Sequence, residues 1–131
     1  MSVPVVRSKD GVTFKMGPPA GFRILGALAN LAFYLWSDVT ITSGSDGNRL
    51  PTDPHATGEA IDIRTTDWDD ETIKRALLWL RQDLGPLFTV LHERPVDVAS
   101  GPLVGLVTVN ANASGQHIHA QRKRDTVYPP V

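Results

Sequence analysis

Two apolar stripes at helical spacing, separated by short β-branched runs, are the feature that most limits how this chain can fold. Ile73, Ala76, Leu77, Leu80 and Leu84 recur every three or four residues, the period at which one face of an α-helix meets a core. Thr66 to Asp70 supplies an acidic first turn for that helix and Gly85-Pro86 ends it. Ile24, Leu25, Leu28, Leu31, Ala32 and Leu35 form the second stripe, predicting a helix over about 20–35 with Pro18 and Pro19 where a helix start tolerates proline. Around these, Asp38–Thr42, Glu59–Arg64, Leu87–Leu91, Leu103–Val109 and His117–Gln121 read as strands. Val3–Lys15, centred on Asp10-Gly11, reads as a hairpin, and 43–54, rich in Gly, Ser, Asp and Pro, as a loop.

A chain of 131 residues with 41% hydrophobic content suits one domain over 1–131 with its own core. Thirteen basic and fourteen acidic side chains leave a formal charge of -1, so no electrostatic footprint for nucleic acid or an anionic membrane is expected. The most apolar stretch, Ala20–Trp36, carries Arg23 and Asn30 and is too short to predict membrane insertion. Met1–Arg7 lacks the basic start and long apolar run of a secretory leader, so none is expected. Arg122-Lys123-Arg124 reads as a solvated strand end, and the three tryptophans are too scattered to predict a sugar-stacking platform. Cysteine is absent, which excludes disulfides and thiolate metal sites and leaves His, Asp and Glu as possible ligands.

Three of the four histidines fall into two segments. His55 lies seven residues before Asp62, and His117 and His119 sit together near the C-terminus. Two imidazoles and one carboxylate suit a catalytic zinc, because three protein ligands leave a fourth position for water. Alternation along a strand places His117 and His119 on one face, so either could be the third ligand.

The run His55-Ala56-Thr57-Gly58-Glu59-Ala60-Ile61-Asp62 resembles the first zinc motif of the D-Ala-D-Ala metallopeptidases, Ser-x-His-x-x-Gly-x-Ala-x-Asp. Asp53 stands where that motif has serine; His55, Gly58, Ala60 and Asp62 fit. Leu84–Glu93 and His117–Gln121 are similar to segments of small phage-borne members, and the likeness spans roughly 39–121. The resemblance implies an α+β fold with a small antiparallel sheet and two main helices. It further implies one zinc ion held by His55, Asp62 and His119, with His117 beside them as a proton donor, and hydrolysis of amide bonds in bacterial peptidoglycan peptides. Glu93 becomes the expected general base and Arg49 the expected partner of the developing oxyanion.

Two departures stand out. Gln116 occupies the position three before the last histidine, where the family usually carries an acidic base, and an amide cannot accept a proton at useful pH. About two dozen residues separate Glu93 from His117, so 94–115 reads as an insertion, expected to form a hairpin beside the cleft. The likeness places the chain in a host cytoplasm with release to the wall at lysis, or in a phage virion. Its alternative role is a catalytically silent structural or binding protein among other phage particle proteins.

Overall fold

Each helix buries one stripe, and both stripes need the same apolar sheet face. In the computed structural model, which describes residues 2–14, 19–45, 52–96 and 101–130, the order is β1 (Val6–Ser8), α1 (Pro19–Leu35), β2 (Val39–Ser43), β3 (Ala60–Arg64), α2 (Asp70–Leu84), β4 (Phe88–Arg94), a 3-10 turn (Gly101–Leu103), β5 (Val107–Val109) and β6 (His117–Arg122). The strands form one six-stranded sheet in the order β1-β2-β3-β6-β4-β5. No helix among the described residues is long and apolar enough to cross a membrane.

α2 forms where the periodicity placed it. The Asp69 side chain caps its start by accepting from the Thr72 backbone N–H at 2.8 Å. Asp70 and Glu71 in the first turn and Arg81 in the last both oppose the helix dipole. Its stripe, Ile73, Ala76, Leu77, Leu80 and Leu84, is buried, and Ala76, Leu77, Leu80 and Leu84 share one cluster with Ile24, Leu28 and Leu31 of α1. Ile61 and Ile63 of β3, Phe88 and Val90 of β4, and Ile118 and Ala120 of β6 complete this core. Each fully buried Leu or Ile contributes about 1.5–3 kcal/mol, so this interleaved layer is what holds the sheet rigid. Because side chains alternate across a strand, Asp62, Glu93, His117 and His119 point to the sheet face that the helices leave uncovered.

The sheet is mixed, not antiparallel. β1 runs parallel to β2 at one edge and β5 parallel to β4 at the other, while the β2–β3, β3–β6 and β6–β4 pairs are antiparallel. The expected N-terminal hairpin is therefore absent among the described residues. Asp38 draws β1 alongside β2 instead, accepting from the Val5 N–H at 3.0 Å and from Arg7 at 2.6 Å. After the turn at 10–11, the Thr13 carbonyl accepts from the Ser45 N–H beyond the end of β2. The strand expected over Leu103–Val109 is also shorter. Leu103 is fully buried in the 3-10 turn, and Gly105, at φ +79, breaks the extended run before Val107. The segment 94–115 consequently supplies a parallel edge strand rather than a hairpin.

Candidate metal centre

Strand register brings the site residues together in two rows. Asp62 of β3 pairs with His119 of β6, which pairs with Leu91 of β4; one step along, Arg64 pairs with His117, which pairs with Glu93. His55 arrives from a tight loop rather than a strand. Asp53 Oδ1 accepts the His55 backbone N–H at 2.8 Å, a turn-closing bond that a serine hydroxyl also makes. Thr57, Gly58 and Glu59 then donate their N–H groups back to Asp53, His55 and Pro54. Gly21 is required here, since a Cβ on it would lie 2.2 Å from the Gly58 carbonyl oxygen, and Gly58 itself takes φ +79, where glycine is favoured. That close approach seats the loop on the start of α1.

His55, Asp62 and His119 form a group of donor atoms that could hold a metal ion. His55 Nε2 lies 3.3 Å from Asp62 Oδ1 and 3.2 Å from His119 Nδ1, and His119 Nδ1 lies 2.7 Å from Asp62 Oδ1. The outward ring nitrogens explain why the inward ones are free to coordinate. His55 Nδ1 is 3.0 Å from the Gly44 carbonyl oxygen, and His119 Nε2 is 2.7 Å from the Gln121 side-chain oxygen. Both partners are acceptors, so both outward nitrogens carry a proton; the inward nitrogens share protons with Asp62 in the metal-free centre and, with those displaced, present lone pairs to the same point as the carboxylate. Three acceptors converging without a donor between them repel one another until a cation or a proton sits among them.

The electrostatics follow from that crowding. Burial would raise the Asp62 carboxyl, but hydrogen bonds from His119 and His55 outweigh it and hold the group well below the usual carboxylate range. Burial opposes the charged form of His119, yet the Asp62 carboxylate, with help from Gln121 and Glu93, moves its pKa upward. The metal-free centre therefore favours a proton on His119, and a metal ion would have to displace it.

Glu93 and His117 stand beside this group, not inside it. Glu93 Oε1 is 2.9 Å from His117 Nε2, whose distance to Asp62 Oδ2 is 3.9 Å. Asn110, directly after β5, donates from Nδ2 to Glu93 Oε2 at 3.3 Å. His117 Nδ1 faces the Gly115 carbonyl oxygen at 3.2 Å. Gln116 immediately precedes β6. Arg49 lies outside the described residues. The centre opens into a cavity of about 530 Å³ whose walls include Lys9, Thr42, Glu93, Asn110, Asn112 and Gln121.

His92, the fourth histidine, is out of phase with Glu93 and points into the core on the helix side, fully buried. Neither of its ring nitrogens has a hydrogen-bond partner. Burial, together with the charges of Arg94 and His117, pushes its pKa down to about 4. Gln121 and Asn110 were not anticipated as site residues. The signal for Gln121 was available, since it lies two positions after His119 on the same strand face; Asn110 carried none, because its approach to Glu93 depends on β5 pairing with β4. No family profile, curated protein or solved structure matches the chain.

Proposed function

We propose that the chain is a zinc-dependent peptidase cleaving amide bonds in bacterial peptidoglycan peptides. The observation that carries this reading is the convergence of three lone-pair donors, two of them with their far nitrogens pinned by carbonyl oxygens, beside a carboxylate–imidazole pair in an open cavity. Donors about 2.0–2.2 Å from a tetrahedral centre stand about 3.3–3.6 Å apart, close to the 3.3 and 3.2 Å that separate His55 from Asp62 and from His119. The third separation, 2.7 Å, is that of a hydrogen bond and fits the proton that the metal-free His119 retains. Nitrogen and carboxylate donors in this number favour zinc over the harder cations, which take oxygen-rich shells.

Zinc in such a site supplies Lewis-acid chemistry, polarising a carbonyl and making water a stronger acid. The chain's own groups handle the protons. Glu93, held by Asn110, accepts a proton from the attacking water, and His117, in contact with Glu93, passes one to the departing amine. Glu93 thereby does the work that Gln116 cannot. This reading places the protein with phage enzymes that act on the host wall, either at lysis or from the particle.

Gln116 also favours a second reading, a silent peptidase fold serving as a structural part of a phage particle. Zinc analysis paired with digestion of purified peptidoglycan separates the two. We expect one zinc per chain, lost in His55→Ala and Asp62→Ala but retained in Glu93→Gln, with hydrolysis in Glu93→Gln lower by about 10²–10⁴-fold. Absence of zinc at neutral pH overturns the peptidase reading. Zinc-loaded protein that is inert on walls from several bacteria, yet gains hydrolysis on Gln116→Glu, selects the silent form.

A further inference from the structure

α1 is apolar on both faces, and a helix of that kind is normally covered on both. One face enters the core. The single charged side chain among its 17 residues is Arg23, which turns back to Asp83 of α2 at 3.4 Å. α2 shows the ordinary contrast, with Glu71, Arg75, Arg81 and Gln82 exposed.

The outer face of α1 is one continuous stripe. Pro19, Phe22, Gly26, Ala29 and Phe33 are exposed along it, and Trp36 extends it just past the last turn; steps of three and four residues keep such positions on one side of a helix. Phe22, Phe33 and Trp36 leave 49%, 56% and 52% of their surface in solvent, and the rings of Phe33 and Trp36 lie 6.0 Å apart. Trp36 holds its place at a backbone cost. The Ser37 N–H donates to the Ala32 carbonyl at 3.1 Å and closes the helix around a residue at φ +51, a left-handed position that usually goes to glycine. An indole kept there with half of it bare points to a contact outside the chain.

The stripe reads the same in both directions. Its steps run three, four, three, four and three residues, so an antiparallel copy laid across it sets Phe22 against Phe33, Gly26 against Ala29 and Pro19 against Trp36. The small pair falls nearest the axis, where crossing helices approach most closely, and the rings fall where the helices diverge and leave space to fill. No charged side chain stands in the stripe to oppose its own image. Area agrees. Half-exposed aromatic side chains offer roughly 75–125 Å² each, so the stripe and its flanks cover about 1,000–1,200 Å² between two copies, the lower end of specific interfaces and suited to a reversible dimer.

We propose that this face is a self-association surface, on which a second copy of the chain packs its α1 antiparallel across a two-fold axis between Ala27 and Leu28. The candidate metal centre lies on the other side of the sheet, so both sites stay open in the pair. The inference does not rest on the peptidase reading.

The test is sedimentation velocity of the full chain from about 1 µM to about 300 µM, the range over which an interface of this size dissociates. We expect one chain at the low end and two at the high end. A Cβ on Gly26 meets nothing within the chain and Ala29 is exposed, so Gly26→Glu and Ala29→Lys should fold as wild type does, with circular dichroism and melting temperature as the control. Each alone buries an unpaired charge in the pair and should associate at least about tenfold more weakly. Mixing them gives the decisive result. Position 26 of one copy faces position 29 of the other, so the introduced carboxylate meets the introduced ammonium and pairing should return in the mixture alone. A wild type that stays single, variants that pair as wild type does, or a mixture that fails to pair overturns the proposal. So does a single chain that floats with phosphatidylcholine vesicles, which gives the face to a lipid surface.

Discussion

Replacing His92 with leucine should stabilise the protein, and increasingly so as the solution is acidified. His92 is fully buried on the helix side of β4 with both ring nitrogens unpartnered. A neutral imidazole buried this way leaves one donor and one acceptor without hydrogen bonds, at a cost of about 1–3 kcal/mol, which an apolar side chain of similar volume avoids. The pH dependence adds a second, separable effect. The folded pKa is about 4 against an ordinary 6.5; because it is depressed, the folded state is favoured above 6.5 and loses that advantage as pH falls toward 4. Full loss over that interval is roughly 3 kcal/mol, with about 2 kcal/mol gone by about pH 5. Arg94 and His117 charges push in the same direction as burial and Asp70 opposes them, so the window is set by the core and not by one neighbour. Asp62 also carries a depressed pKa and makes the protein acid-sensitive, but it is common to both proteins and cancels in the comparison. Urea unfolding at about pH 7.5 and about pH 5 provides the assay. The leucine variant should gain about 1–2 kcal/mol at the higher pH and about 3–4 kcal/mol at the lower. A variant less stable than wild type at pH 7.5, or an advantage that fails to widen on acidification, would refute the reasoning.

Two further outcomes follow from the hydrogen bonds that orient the imidazoles. Gln121→Ala frees His119 Nε2, and competition with a zinc chelator should show affinity weakened by about 10–100-fold, the usual effect of removing such a support. The raised pKa of the metal-free His119 means its proton is held to higher pH than that of an ordinary imidazole. Zinc uptake at neutral pH should therefore release protons, measurable by calorimetry in buffers of different ionisation enthalpy, and affinity should climb with pH until His119 is fully deprotonated; uptake without proton release contradicts the proposed centre.

The helices were legible because their evidence is local. The stripe from Ile73 to Leu84, the acidic first turn and Gly85 all lie within one stretch, and α2 obeys them residue for residue. What failed was non-local. Val5, Val12 and the turn at Asp10-Gly11 have the local pattern of a hairpin, yet the Asp38 carboxylate, across more than thirty positions of sequence, gives β1 a better partner in β2. Leu103 likewise looked like the start of a strand, and only its burial in the 3-10 turn beside a glycine at positive φ shows why the extended run begins at Val107.

Strand parity accounts for the site in a way that spacing alone does not. From the sequence, strand alternation left either His117 or His119 open as the third ligand. Register separates them. The pairing of Asp62 with His119 makes one row, whose donors meet His55, and the pairing of Arg64, His117 and Glu93 makes the next. Shifting β6 by one residue would turn His119 into the core and bring Ile118 to the open face. The apolar residues Ile61, Ile63, Val90, Ile118 and Ala120, buried beneath the helices, resist that shift by several side chains' worth of hydrophobic free energy. The core stripe under the sheet thus keeps both imidazoles of β6 on the open face, and the register of β6 against β3 sets His119, not His117, beside Asp62 in the candidate metal centre.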